Sequence, residues 1–342
     1  MSSAKLKVAV LSFAHGHALG YLRYLAGRPD VELVASDPDG AGATQPATRG
    51  PGPAAALGVR YLDTYQEALR WGPDAVVICS ENARHRELVE LAAPAGAHIL
   101  CEKPLATSVA DAEAMRAATA AAGVELMVAF PVRFAPSFVS LRARCQAGQL
   151  GTVLGIVGTN NGMLPLDAAW FVDPALSGGG SIVDHVVHCA DLIDSLLGEQ
   201  PTSVYAVANR TLYADTGVEV ETGGLVTATY GSGVIATIDC SWSQPRTAPT
   251  WGGLSLKVVG TKGTVEIAPF AAHVGGHGPD GAVWLSYGAD LDGLMIDEFL
   301  TAVRDGRRPQ PDIEVGVRTT TLMTAAQASA RTGQVCRIEP GH

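Results

Sequence analysis

The chain has 342 residues, of which 47% are hydrophobic and 17% are charged, and its formal net charge is −10. This length exceeds the usual size of one hydrophobic core, so we expect about two domains. The 24 basic residues are scattered among 34 acidic ones, which argues against nucleic acid or an anionic membrane as a partner, because both need clustered Lys and Arg. We expect a small-molecule partner, and the apolar excess predicts burial in a homodimer or homotetramer.

The cysteines predict free thiols. They form no C-x-x-C pair and lie far apart, at positions 79, 101, 145, 189, 240 and 336. This spacing favours a reducing cytosol over a disulfide scaffold or a structural zinc site. No uninterrupted apolar stretch reaches the ~18 residues that a membrane span requires, so we expect a cytoplasmic protein.

The first 130 residues alternate short β-branched runs with longer helical stretches. Strands are predicted at 8–11, 31–35, 75–78, 98–100 and 126–129. Near-continuous apolar runs are typical of strands covered on both faces, so this region predicts an α/β domain with a doubly wound parallel sheet. Ligands of such sheets bind beyond the carboxyl ends of the strands. Residues 40–53, rich in Gly, Pro, Ala and Thr, predict a weakly ordered surface loop.

The pattern changes at residue 131. Strand-like runs separated by turn residues are predicted at 153–159, 203–208, 224–230, 234–240, 254–260 and 264–268. Short connections predict mainly antiparallel pairing. Helical stretches at 180–197 and 291–332 bracket this sheet, so residues 131–342 predict an α+β domain with one open sheet face, our candidate oligomer interface. The last helix is a candidate for packing back on the N-terminal domain.

The turn after the first strand is the candidate cofactor site. Residues 12–17, Ser-Phe-Ala-His-Gly-His, stand where a dinucleotide fold has G-x-G-x-x-G. Small residues at the first two glycine positions let backbone amides approach a pyrophosphate; Ser12 and Ala14 are small, whereas His17 is bulky. Asp37 closes the second strand, where an acidic group binds the ribose 2′-hydroxyl and repels the 2′-phosphate of NADP. The pattern favours NAD over NADP, although an ordinary loop aspartate would give the same pattern.

Two distant segments supply groups for proton transfer. Lys103 stands at a strand end before Pro104, which restricts the lysine backbone to an extended form. Asp184 and His188 lie four residues apart on a predicted helix and therefore share one face. An ammonium, a carboxylate and an imidazole in one pocket can move a proton off an alcohol while a cofactor removes hydride. The alternatives are a surface lysine, a capping box formed by Ser181 and Asp184, and a structural helix histidine.

Other polar residues leave alternatives open. Asn82 follows a strand and is either a helix cap or a cofactor contact, and capping is the simpler interpretation. His185 and His188 also have metal-ligand spacing, but a zinc site would need a further ligand such as Glu81, His15 or His17. Proton transfer explains the pattern better, so we predict no metal site.

The motifs together resemble the Gfo/Idh/MocA oxidoreductase family. The resemblance rests on the segments I-C-S-E-N-x-x-H at 78–85, C-E-K-P-L-A at 101–106 and G-G-G-x-x-x-D-x-x-x-H at 178–188. Further support comes from F-x-x-R-F-x-P at 130–136, G-x-L-G-T-V at 148–153 and the segments at 297–299 and 329–333. It spans nearly the whole chain.

The resemblance implies an NAD(P)-binding Rossmann domain over residues 1–130, a substrate-binding and oligomerisation domain over 131–342, and a sugar, polyol or inositol substrate. His188 would take the hydroxyl proton, Lys103 would hold that oxygen, and Asp184 would orient the substrate or the imidazole. The implied cofactor residues are Ser12, Phe13, Ala14, His15, Asp37, Ser80, Asn82, His85 and Glu102. Candidate substrate contacts are Arg133, Asn160, Asn161 and Trp170.

The chain departs from the family pattern at two places that both border the cofactor cleft. The glycine fingerprint is replaced by Ser12, Ala14 and His17, and the usual Thr-Pro before Asn82 is Ser80-Glu81. Two other functions therefore stay open: a metal-dependent hydrolase or lyase that uses the added histidines, and a non-catalytic sensor of NAD or sugar.

Overall fold

A parallel sheet forms the N-terminal domain. The computed structural model describes residues 4–40, 48–165 and 168–339. The strands are β1 (Leu6–Leu11), β2 (Val31–Ser36), β3 (Arg60–Tyr61), β4 (Ala75–Ile78), β5 (His98–Cys101) and β6 (Leu126–Val128). They lie in the order β3-β2-β1-β4-β5-β6, with every neighbouring pair parallel. The predicted doubly wound sheet is confirmed.

Helices cover this sheet and link it to the second domain. They are α1 (His17–Ala26), α2 (Pro51–Ala56), α3 (Tyr65–Arg70), α4 (His85–Ala92), α5 (Val109–Ala122), α6 (Pro136–Gln146), α7 (Pro174–Ser177), α8 (Val187–Leu197), α9 (Leu291–Asp305) and α10 (Ile313–Thr332). Local sequence fixes several ends: the Ser108 hydroxyl accepts a hydrogen bond from the Asp111 amide at the start of α5, and Gly123 ends that helix in the left-handed conformation.

The C-terminal domain contains a seven-stranded sheet. Its strands are β7 (Val153–Gly162), β8 (Pro201–Asn209), β9 (Gly223–Tyr230), β10 (Ile235–Ser241), β11 (Gly252–Gly260), β12 (Gly263–Ile267) and β15 (Cys336–Arg337), with a separate hairpin of β13 (His273–Gly278) and β14 (Gly281–Ser286). The order is β12-β11-β7-β10-β9-β8-β15. All pairs are antiparallel except β7 and β10, which run parallel.

The last two helices pack on both domains. Ile296 and Phe299 of α9 are buried in the same cluster as Val8 and Val10 of β1, so α9 completes the core of the Rossmann domain. Helix α10 packs against α5, α8 and β8. The predicted continuous stretch at 291–332 is interrupted between α9 and α10, because Gly306 ends α9 in the left-handed conformation and Asp312 caps α10.

A buried ion pair lies near the junction of the two domains, between the segment after β6 and α8. Arg133 follows β6, is 6% exposed, and its Nε donates a 3.2 Å hydrogen bond to Asp191 Oδ2 on α8. Its guanidinium also donates to the Asp191 carbonyl. This pairing favours a structural role for Arg133, whose predicted substrate contact stays a prediction. It fixes α8 against the end of the parallel sheet.

Residues 40–53 are only partly described, since 41–47 lie outside the described residues. Beside that gap the chain forms a single 3₁₀ turn at Pro38–Gly40 and the helix α2. The predicted loop is wrong at residues 51–53, where Pro51 starts a helix and has no amide hydrogen to leave unsatisfied. Among the described helices, none is long and apolar enough to cross a membrane.

Candidate active site

Lys103 and Asp184 meet in a buried ion pair. Lys103 lies two residues beyond β5, and its Nζ donates a 2.7 Å hydrogen bond to Asp184 Oδ1. Each side chain is only 5% exposed. Backbone contacts fix the lysine segment: Glu102 Oε2 accepts a hydrogen bond from the Lys103 amide, and His85 Nδ1 lies 2.9 Å from the Pro104 carbonyl oxygen. The structure thus brings together two of the three residues predicted to be catalytic.

The glycine triplet positions the helix that follows it. Gly178 and Gly179 have φ values of +81° and +152°, a region that favours glycine. A Cβ at Gly180 would lie 1.9 Å from the Glu221 carbonyl oxygen, so only glycine allows this approach. The Glu221 carboxylate in turn accepts a 3.0 Å hydrogen bond from the Gly180 amide. Close contact with Glu221 therefore sets where the next turn begins.

A short π-helix, Ile182–Val186, leads into α8 and contains Asp184. π-Helical turns occur often at functional sites, because the wider turn changes the direction of its side chains. Among the described residues, Ser181 makes no side-chain capping hydrogen bond and its buried hydroxyl has no partner. The capping-box interpretation of Ser181 and Asp184 is therefore wrong.

The Asp184 carboxylate has donors on both oxygens. Besides Lys103 on Oδ1, the Trp242 indole donates a 3.0 Å hydrogen bond to Oδ2, and His185 Nε2 lies 3.1 Å from the same oxygen. Burial opposes ionisation, but Lys103 and His185 outweigh it and hold the pKa of Asp184 well below its ordinary value. Asp184 is thus an ionised carboxylate.

His188 is a partly buried, neutral imidazole. Burial, followed by the positive charge of Lys103, holds the pKa of His188 well below its ordinary value. Its Nδ1 is buried and has no hydrogen-bond partner among the described residues, and the ring meets Phe130 edge to face with centroids 5.9 Å apart. The lowered pKa keeps the ring unprotonated near pH 7, which is the state in which an imidazole can serve as a general base.

The sequence did not indicate that His185, Trp242 and Trp251 lie beside the group of Lys103, Asp184 and His188. His185 Nδ1 lies 2.7 Å from the Asn160 carbonyl oxygen, and its ring meets the edge of Trp251, which is 51% exposed. Trp242 follows the end of β10. Neither Trp242 nor Trp251 lies in a recognisable motif, and only their positions beside strand ends offered a signal.

The predicted substrate contacts lie at two places. The Asn160 side chain donates to the His185 carbonyl at 3.2 Å, and Asn161 Oδ1 accepts a hydrogen bond from Ser241. Trp170 lies instead on the cofactor turn, where its indole donates a 3.0 Å hydrogen bond to the Ala14 carbonyl. These residues border the cleft, and their contact with substrate stays a prediction.

The turn after β1 has the features that a dinucleotide requires. Ser12 has a φ of +66°, and its hydroxyl accepts a 3.3 Å hydrogen bond from the Ala14 amide. Gly16 precedes α1 and has no side chain to cap it, and the amides of His17 and Ala18 donate to Nδ1 and to the carbonyl oxygen of His15. His17 stands where the family has a glycine, but its side chain does not obstruct the turn, because the ring is directed to Glu102, with Nδ1 2.9 Å from Oε1.

The pKa values of the two turn histidines are shifted in opposite directions. Burial lowers the pKa of His15 to about 3, so this ring is neutral. Burial acts in the same direction on His17, but Glu102 outweighs it and raises the pKa of His17. Phe13 and His15 are both buried, and the His15 ring lies 5.5 Å from that of Phe171. The second domain therefore covers this turn with aromatic side chains.

Asp37 lies at the end of β2, as predicted, but it already has a partner. Arg49 Nε and Nη2 donate to its two oxygens at 2.9 and 3.0 Å, and the Gly50 amide donates at 2.7 Å. Arg49 Nη1 is also 3.9 Å from Glu81. Arg49 gave no signal in the sequence, since it lies twelve residues after Asp37 and in none of the motifs.

Three other predicted cofactor residues are used within the protein. The Asn82 amide donates a 2.9 Å hydrogen bond across the cleft to the Ser177 carbonyl, so Asn82 bridges the domains and does not cap a helix. Ser80 is buried and donates to the Glu81 carbonyl. The fully buried His85 supports the Pro104 segment, which favours a structural role over the implied cofactor contact.

Family models match both halves of the chain. Residues 21–130 match the model of the oxidoreductase family with an NAD-binding Rossmann fold, and residues 138–266 match the GFO/IDH/MocA C-terminal domain. The chain belongs to the Gfo/Idh/MocA oxidoreductase family. Its N-terminal domain is an NAD-binding Rossmann domain, and the chain is an oxidoreductase that acts on CH–OH groups.

Named relatives and solved structures agree with this family. The chain is 31% identical to D-xylose 1-dehydrogenase (NADP(+)) 2 of Haloferax volcanii, over 78% of this chain and 81% of the relative. It is 30% identical to 1,5-anhydro-D-fructose reductase of Ensifer adhaerens, over 86% and 89%. The crystal structure of GenD2 from gentamicin A biosynthesis, in complex with NAD, superposes with a TM-score of 0.87 at 25% identity, covering 99% of this chain and 98% of GenD2. These relatives do not support the hydrolase, lyase or sensor alternatives.

Substitution of Gly180 tests how the glycine triplet positions the site. Gly180→Ala places a Cβ against the Glu221 backbone, so we expect the free energy of unfolding to fall by about 3 kcal/mol, as in overpacked interiors, measured by urea denaturation. The matched control is Gly20→Ala on α1, where a Cβ would meet nothing within 4 Å. This control should gain about 0.5–1 kcal/mol. Equal stability of both variants would contradict the packing argument.

Proposed function

We propose that the chain is an NAD-dependent dehydrogenase that oxidises a hydroxyl group of a sugar, polyol or inositol. The observation that supports this most directly is the arrangement at the domain junction: a buried Lys103–Asp184 pair beside the neutral His188, near the end of the Rossmann sheet. The relatives named above act on sugars or their anhydro derivatives, and others are inositol dehydrogenases, such as that of Thermotoga maritima.

The three residues have distinct roles in this proposal. His188, neutral before the reaction, accepts the proton of the substrate hydroxyl. Lys103 donates a hydrogen bond to the oxygen that loses this proton and stabilises its growing negative charge. Asp184 holds Lys103 in place through the hydrogen bond between them, and its negative charge stabilises the imidazolium formed at His188. A nicotinamide cofactor held by the Rossmann domain would supply the acceptor for the hydride of the carbinol carbon. In the reducing direction, His188 returns the proton.

We assign NAD as the preferred cofactor. The buried carboxylate of Asp37 at the end of β2 repels a 2′-phosphate, and its pairing with Arg49 neutralises the one guanidinium that contacts it in the described residues. The turn residues Ser12, Phe13, Ala14 and His15 would hold the diphosphate through the backbone and the start of α1.

We also propose that the open face of the second sheet forms a homo-oligomer interface. Large apolar side chains on that face are exposed to the following extents: Val157 46%, Tyr205 42%, Val207 46%, Leu225 58% and Ile235 51%. They lie across four adjacent strands, which makes one apolar patch.

All six cysteines are free thiols, which supports a reducing compartment, the cytoplasm.

Removal of the proposed catalytic groups should abolish turnover and leave cofactor binding in place. We expect Lys103→Ala and His188→Ala each to lower kcat roughly 10²–10⁴-fold, measured by NADH formation with a panel of sugars, polyols and inositols. The exposed Lys257→Ala and His277→Ala are matched controls that should keep wild-type kcat. NADH binding without turnover in the wild-type protein would favour a sensor, and near-normal turnover in both catalytic variants would contradict the mechanism.

Asp37 should determine the choice between the two nicotinamide cofactors. Asp37→Asn keeps the size of the side chain but removes the charge that repels the 2′-phosphate, and it leaves Arg49 to bind that group. We expect the ratio of the Kd for NADPH to the Kd for NADH to fall about tenfold, followed by nicotinamide fluorescence. The control is Asp39→Asn, which removes the negative charge from the neighbouring ion pair between Asp39 and Arg84. An unchanged ratio in Asp37→Asn would show that Asp37 does not determine which nicotinamide cofactor is preferred.

A charge on the open sheet face should break the assembly. Leu225→Glu places a carboxylate at the centre of the apolar patch, where burial against a second copy is unfavourable. We expect the mass measured by light scattering to fall from that of a dimer or tetramer to that of a smaller species. Val274→Glu, on the exposed β13 hairpin, is the control. A monomeric wild-type protein would refute the interface.

A further inference from the structure

A second group of ligand-type side chains lies at the cofactor turn. His15, His17 and Glu102 each offer one nitrogen or oxygen atom, and these three atoms all lie within 4.8 Å of one another. His17 Nδ1 is 2.9 Å and His15 Nδ1 is 3.7 Å from the same oxygen, Glu102 Oε1. Two imidazoles and one carboxylate are a donor set found in zinc sites.

The fold brings these residues together from separate elements. His15 and His17 flank Gly16 at the start of α1, whereas Glu102 follows β5. The His15 and His17 rings lie edge to face with centroids 4.3 Å apart. The Nδ1 atoms of both rings lie near the same oxygen, Glu102 Oε1. The distances of 2.9 and 3.7 Å bracket the separation of about 3.3 Å between ligands around a tetrahedral zinc ion with bonds near 2.0 Å.

A separate observation indicates that the cluster is incomplete. His15 is 4% exposed; its Nδ1 accepts a 3.3 Å hydrogen bond from the His17 amide, whereas its other ring nitrogen, Nε2, is buried without a hydrogen-bond partner among the described residues. A buried polar nitrogen without a partner is costly, and a ring flip or a bound ion removes that cost. The side chain of Glu102 is fully buried, and the Lys103 amide holds its second oxygen at 3.1 Å, the kind of outer contact that orients metal ligands.

The cluster also has an entrance. The His17 side chain is 40% exposed, so an ion can arrive from solvent and keep a water molecule as a further ligand. The proton-transfer group does not need this cluster, since Lys103 pairs with Asp184 and not with Glu102.

We propose that His15, His17 and Glu102 form a binding site for one divalent transition-metal ion of the zinc class, with the fourth position open to water. This site uses neither Glu81 nor His185, which lie with Arg49 and with Asp184 respectively. It implies no hydrolytic reaction and does not depend on the proposed dehydrogenase activity.

The test is direct titration of the full-length protein, stripped of metal with a chelator, with Zn²⁺ by calorimetry. Elemental analysis after dialysis gives the stoichiometry, and Co²⁺ gives a visible spectrum characteristic of its coordination. We expect one ion per chain and a rise in Tm with added Zn²⁺, because the ion binds only the folded cluster. His17→Ala and Glu102→Gln should weaken binding about a hundredfold.

His277→Ala, which removes an exposed histidine on the β13 hairpin, is the matched control and should bind Zn²⁺ like the wild type. His17 is partly exposed, so its variant remains informative even if Glu102→Gln fails to fold. His17→Cys should recover most of the affinity, since a thiolate is also a zinc ligand. Absence of stoichiometric binding, or equal affinity in the wild type and His17→Ala, would overturn the proposal.

Discussion

The site depends on one buried ion pair, between Lys103 and Asp184. A charge removed from water is unfavourable unless a partner and further hydrogen bonds compensate for it. Here Trp242 and His185 complete the contacts of the carboxylate, and the pair spans the junction of the two domains. The same lysine charge helps to keep His188 neutral. One interaction therefore links the two domains and adds to the effect of burial in keeping the His188 imidazole neutral.

The rest of the scaffold serves the same junction. Arg133 and Asp191 form a second buried ion pair between the end of the parallel sheet and α8, and Asn82 reaches the Ser177 carbonyl on the opposite side of the cleft. The glycine triplet brings the chain so close to Glu221 that a side chain at Gly180 would not fit. These contacts join residues that are far apart in sequence. Together they restrict the positions of Asp184 and His188 relative to Lys103.

The cofactor turn shows how a fold accepts a change in its usual sequence. A serine with positive φ replaces the first glycine, and its hydroxyl bonds to the amide that a tight turn brings near. The bulky His17 is accommodated because Glu102 draws its ring to the end of β5. The turn retains small residues, while the imidazoles add ligand chemistry beside it.

The sequence by itself determined the doubly wound sheet and the second sheet, and it singled out Lys103, Asp184 and His188 as candidates for proton transfer. It could do so because apolar periodicity and motif order are local properties of the chain. It could not determine which partners these residues meet. Helical spacing placed Asp184 with His188, whereas the tertiary structure gives its hydrogen bonds to Lys103 and Trp242. Likewise, Arg49 on Asp37 and the meeting of His15, His17 and Glu102 depend on contacts between separate elements. Only the folded chain decides such contacts, because strand order and loop paths bring together side chains that no sequence spacing relates.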